Sequence, residues 1–155
     1  MAENAGSRAR ATGGARLLVA VYALFAVAAT SRAGVQIATK FDEAPLAYLL
    51  SALAAAVYVV ATVAISRRTP AWHRVAVAAC TFELAGVLAI GTLSLFDAAA
   101  FPDATVWSVY GRGYLFVPLV LPVAGLAYLR RHPVAAGPAG PAGEAGNHAL
   151  REPGR

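Results

Sequence analysis

Four long apolar runs, separated by short stretches that hold most of the charge, organise this chain. The first runs from Leu17 to Ser31 without a charge. It reaches spanning length only if Arg32 sits at a membrane surface and the helix continues towards Ile37. The second, Pro45 to Ile65, carries no charge, and its proline suits a first helical turn, where the missing N–H does no harm. The third, Val75 to Leu95, is interrupted only by Glu83, and the fourth, Ser108 to Leu129, has Arg112 near its start. A bilayer core ~30 Å thick takes ~20 helical residues. The runs are continuous and do not alternate as barrel strands would, so they read as helices. The expected fold is an all-α membrane protein: a four-transmembrane-helix bundle with spans at about 17–37, 45–65, 75–95 and 108–129.

Composition supports lipid as the surrounding medium. The chain is 59% hydrophobic and 14% charged, against about 25% charged in soluble domains. Too few polar residues remain to cover a water-exposed surface, which excludes a cytosolic globular enzyme. The net charge of +5 then reads as an orientation signal, with the bilayer and not nucleic acid as the partner. Twelve of the thirteen cations are arginine, a ratio typical of a high-GC bacterial genome.

The placement of those cations sets the topology. Arg8, Arg10 and Arg16 precede the first run, Arg67, Arg68 and Arg74 lie between the second and third, and Arg130, Arg131, Arg151 and Arg155 follow the fourth. The other side holds Arg32, Lys40 and Arg112, near Asp42, Glu43, Asp97 and Asp103. Ten against three puts both termini in the cytoplasm. Residues 1–16 and the Gly/Pro/Ala-rich segment 132–155, with its GPAGPAGEAG, read as disordered tails. A cleaved signal peptide is the alternative for the first run, because basic residues precede an apolar stretch of h-region length. The apolar pattern resumes beyond Arg32, which favours a retained span.

Candidate chemistry is sparse. Cys80 stands alone and His73, His132 and His148 are far apart, so no disulfide, metal or cofactor is expected. No GxSxG or HExxH occurs. Glu83 is the one ionisable residue deep in a run, ~12 Å in from Val75. An intramembrane carboxyl is costly, so it must face protein or water and is a functional candidate by default. The competing reading is a hydrogen-bonded packing residue. Small or polar positions recur on one face of each helix: Tyr22, Ala26, Ala29 and Ala33; Ser51, Ala54, Tyr58 and Thr62; Ala76, Ala79, Cys80, Glu83, Gly86 and Ser94; Tyr114, Pro118, Pro122 and Gly125. Tyr58 lies at a depth similar to that of Glu83, and a Tyr58–Glu83 hydrogen bond is the sharpest expectation.

Pro118 and Pro122 are expected to kink the fourth span, freeing the carbonyls of Tyr114 and Pro118. The stretch between the third and fourth runs, FDAAAFPDATVWSVYGRG, reads as an outer loop anchored by aromatics at the headgroups. Its Asp103, Trp107 and Tyr110 are candidates for a partner surface. Arg32 and Arg112 are expected to snorkel to the headgroups.

Two stretches, GVQIATKFDEAPLAYLLSALAA and FPDATVWSVYGRGYLFVPLVLPVAGLAYLRR, resemble uncharacterised small four-span integral membrane proteins of actinobacteria. The resemblance implies four spans in a bacterial plasma membrane and supplies no catalytic residue. The expected function is therefore a non-enzymatic membrane subunit or accessory protein, working with a membrane-protein partner or as a homo-oligomer. The alternative is a small transporter or ion-conducting oligomer using Glu83.

Overall fold

The computed structural model describes residues 2–67, 69–97 and 101–134. Helices carry the fold, and no strand occurs among the described residues. The helices are α1 (Ala2–Lys40), α2 (Pro45–Ser66), α3 (Pro70–Phe96) and α4 (Val117–Arg131). A 3-10 turn, Phe41–Glu43, joins α1 to α2, and a second, Ser108–Tyr114, precedes α4. The first three helices are long and apolar enough to cross a membrane. Proline opens α2 and α3 in the first turn, and the Thr69 hydroxyl caps α3 by accepting from Trp72 N–H at 3.4 Å.

The helices pack in sequence order, α1 on α2, α2 on α3 and α3 on α4, with a lighter contact closing α4 on α1. Helices α1 and α3 therefore face each other diagonally. The small and polar stripes turn inward: Tyr22, Ala26, Ala29, Ala33, Ser51, Ala54, Tyr58, Ala76, Ala79, Cys80, Glu83, Pro118, Pro122 and Gly125 are all buried. Large apolar side chains point outward instead, among them Leu24 (66% exposed), Val120 (61%) and Leu95 (54%). Small residues inside and large ones outside is the arrangement of a bundle whose solvent is hydrocarbon, since close helix approach there depends on small interfaces.

Two expectations about the ends need revision or fall outside the structure. Helix α1 starts at Ala2, so residues 2–16, read as an irregular tail, continue the first helix. Alanine and arginine favour helix and no proline interrupts the segment. Most of the tail read at 132–155 lies outside the described residues.

The fourth apolar run departs most from expectation. Continuous helix spans only the 15 residues of α4, about 22 Å, less than a ~30 Å core. The preceding 3-10 turn meets it at 99°. Pro118 does not kink a helix, because it lies in the first turn of α4, and Tyr114 lies outside that helix. Pro122 is the interior proline, so the carbonyl of Pro118 alone loses its usual donor. Upstream, Val109, Tyr110, Gly111, Leu115 and Phe116 all have positive φ. For four of them that left-handed backbone costs roughly 1–2 kcal/mol each, so it persists only where surrounding contacts impose it.

Those contacts come from residues 101–116, here called the strap. The strap lies along α3 and does not stand out as a loop. Trp107 packs over Gly86, where an added Cβ would sit 2.8 Å from the indole, and Tyr110 packs over Gly91. Gly86 is ten positions before the end of α3, about 15 Å along its axis. Val109 N–H donates to Ser94 Oγ at 2.8 Å. Thr105 Oγ1 accepts from the N–H groups of Trp107 (3.1 Å) and Ser108 (3.0 Å), while Ser108 Oγ accepts from Thr105 N–H (2.9 Å). Irregular backbone at membrane depth is tolerated only with such internal satisfaction.

Candidate functional site

Glu83 sits at the centre of the bundle with no exposed surface. Its partner is Tyr22, not Tyr58. Tyr22 OH donates to Glu83 Oε2 at 2.9 Å, across the diagonal from α1 to α3. Cys80, one turn earlier on α3, places its Sγ 3.4 Å from the same phenol oxygen. With the Tyr22 proton committed to Glu83, the thiol is the donor of that contact. Gly125 of α4 closes the group, since an added Cβ would meet Cys80 Sγ at 2.9 Å and Tyr22 OH at 3.3 Å.

Tyr58 is buried beside this bond and does not share it. Its ring lies 6.2 Å from that of Tyr22 and 5.8 Å from that of Phe25. Its hydroxyl is within electrostatic reach of both Glu83 and the Trp107 indole, yet makes no hydrogen bond, and neither do Glu83 Oε1 and Trp107 Nε1. The expected Tyr58–Glu83 contact survives as a longer, weaker interaction beside the direct Tyr22–Glu83 bond. Depth alone could not choose between the tyrosines, because both lie at a similar level. The choice follows from the diagonal: a long phenol from α1 reaches the centre that small residues leave open.

Of the strap residues read as a partner surface, Trp107 is buried, while Asp103 and Tyr110 are half-buried and tied to neighbouring helices. Trp107 is 2% exposed and meets the Phe82 ring at 6.5 Å. Asp103 accepts from Tyr48 OH at 2.5 Å. Tyr110 OH lies 2.9 Å from Thr92 Oγ1, whose own proton goes to the Leu88 carbonyl, so the phenol donates. Arg32 also ties the strap down and does not merely reach for headgroups. It donates to Tyr114 OH at 2.7 Å and to the Ala104 carbonyl at 3.1 Å. Thr105, Ser108 and Thr92 were not singled out from the sequence, whereas Ser94 belonged to the small, polar stripe of the third run. The available signal was Gly86 and Gly91 on α3, each leaving room for a ring.

The chemistry within reach of this arrangement is hydrogen bonding and proton holding. Among the described residues no group of three His, Cys, Asp or Glu could hold a metal ion. No family model, no curated protein and no solved structure matches the chain.

Proposed function

We propose that this is a multi-pass protein of a bacterial plasma membrane, with both termini cytoplasmic, that serves as a non-enzymatic subunit or accessory of a membrane assembly. The observation that carries the reading is a groove of about 520 Å³ between α1 and α2 on the lipid side, lined by Thr30, Ala33, Gly34, Ala52, Ala55 and Ala56 among others. Small residues there let a further helix approach closely, and Thr30 offers it a hydroxyl. The four-segment topology draws support from the basic end. Ala15 of α1, Ile65 of α2, His73 of α3 and Leu129 of α4 line one cavity, as an up-and-down arrangement requires. Tyr22 also favours a retained first span, since cleavage after residue 29 would remove the donor to Glu83.

A photo-crosslinker placed at Ala52 or Ala56 tests the assembly reading, with Val120 as the control position on another face. A stoichiometric adduct with one protein from the groove positions is the expected result. Adducts to lipid alone would contradict it, and adducts to a second copy would favour a homo-oligomer. A C-terminal reporter active only outside the cell would reverse the orientation.

A second reading, a small proton or cation carrier, is favoured by one observation: Glu83 Oε1, Tyr58 OH and Trp107 Nε1 are buried together without partners. Glu83→Gln should abolish proton flux into liposomes if that reading holds, and should leave crosslinking at Ala52 intact if the first does.

A further inference from the structure

The basic end of the bundle holds a cavity of about 210 Å³, several times the ~30 Å³ share of one water. Three groups of its wall can carry positive charge: Arg67, His73 and His132. Arg67 is held with its guanidinium 5.2 Å from the centre of the Trp72 ring. His132 is stacked on Tyr128, with ring centres 4.4 Å apart. No carboxylate lines this cavity. Among side chains that are described, Glu83 is in mid-span and Asp42, Glu43, Asp97 and Asp103 lie towards the opposite end. Among the described residues, no carboxylate compensates this local charge.

A second concavity shares Ala15 and Ile65 with this one and continues past Arg16 along Val19 and Ala20 of α1. A positively lined cavity beside an apolar groove, with Ala15 and Ile65 common to both walls, has the form of an amphiphile. We propose that the two together are a binding site for one anionic phospholipid. The headgroup phosphate sits between Arg67 and His73, Arg16 stands at the rim, and an acyl chain lies along Val19 and Ala20. A guanidinium suits a phosphate oxygen pair geometrically as well as electrostatically. Each arginine near an anionic surface favours it, so Arg67, with Arg16 at the rim and His73 hydrogen-bonding the phosphate, gives a preference of at least roughly tenfold over a zwitterionic lipid.

Native mass spectrometry of the full chain, released from nanodiscs of equal phosphatidylglycerol and phosphatidylcholine, tests this directly. One retained phosphatidylglycerol per chain is expected, favoured roughly tenfold over phosphatidylcholine. The double variant Arg67→Gln, His73→Gln should bring the two lipids to parity, and Arg74→Gln should leave the preference unchanged. Val19→Trp, which fills the acyl groove without touching a charge, should also release the lipid. It carries the test alone if the double variant loses its helical circular dichroism. Absence of retained phosphatidylglycerol, an unchanged preference in a folded double variant, or retention undiminished by Val19→Trp would overturn the proposal. Displacement of the lipid by millimolar inorganic phosphate would overturn it too, by showing a site for the free anion.

Discussion

The second and fourth apolar runs have similar length but different backbones. Helix α2 runs 22 residues from Pro45 to Ser66, with its one proline in the first turn. The fourth run carries Gly111, Gly113, Pro118 and Pro122 and breaks into the end of the strap, with its 3-10 turn, and a 15-residue helix. Burying apolar surface in lipid governs where a segment lies, while glycine and proline govern whether it stays helical. The break is also templated from outside, because glycines on α3 provide the seats for Trp107 and Tyr110.

The difference can be broken most forcefully at Trp107. Trp107→Ala should cost ~3–5 kcal/mol, read as lost thermal stability in detergent and as new proteolysis within residues 101–116. Gly91→Val comes next. Its Cβ would lie 2.8 Å from the Tyr110 backbone nitrogen, which cannot swing aside as a side chain can, so ~1–3 kcal/mol of overpacking is expected. Gly111 and Gly113 sharpen the comparison further. Gly111 has φ +78 and its Cβ would strike Pro118 at 2.7 Å, whereas nothing lies near Gly113. Gly111→Ala should cost ~1–2 kcal/mol or more and Gly113→Ala almost nothing, by the same melting measurement.

The centre of the bundle gives a smaller contrast. Tyr22→Phe removes the bond to Glu83 and should cost ~1 kcal/mol, the usual worth of an interhelical hydrogen bond in lipid. Tyr58→Phe deletes a hydroxyl that has no partner, so its effect should be near zero or slightly stabilising. A double-mutant cycle with Glu83→Gln should show stronger coupling to Tyr22 than to Tyr58. A similarly small effect belongs to Phe96, 86% exposed, whose replacement by alanine should stay within ~0.5 kcal/mol.

Much of this architecture was legible in the sequence. The second and third apolar runs matched helices to within about five residues at each end, and the first matched at its C-terminal end, because continuous hydrophobicity and helix length are local properties. The inward stripes were legible too, since small residues at three- and four-residue steps mark close helix approach. The partner of Glu83 was not, because it depends on α1 and α3 being diagonal, a non-local fact. The strap was missed for a related reason. An aromatic, proline-containing stretch next to a charge boundary has the composition of an interfacial loop, and only its fit to Gly86 and Gly91 turns it inward. The groove between α1 and α2 likewise needs two helices in register before it exists.

The position of Trp107 is the most direct test of the account. In a Trp72→Phe variant reconstituted in vesicles, Trp107 is the sole tryptophan. Its emission should be blue-shifted and resistant to quenching by aqueous iodide, as expected of an indole sealed against α3. Red-shifted emission that iodide quenches freely would place the strap in water and contradict the fold described for the fourth segment.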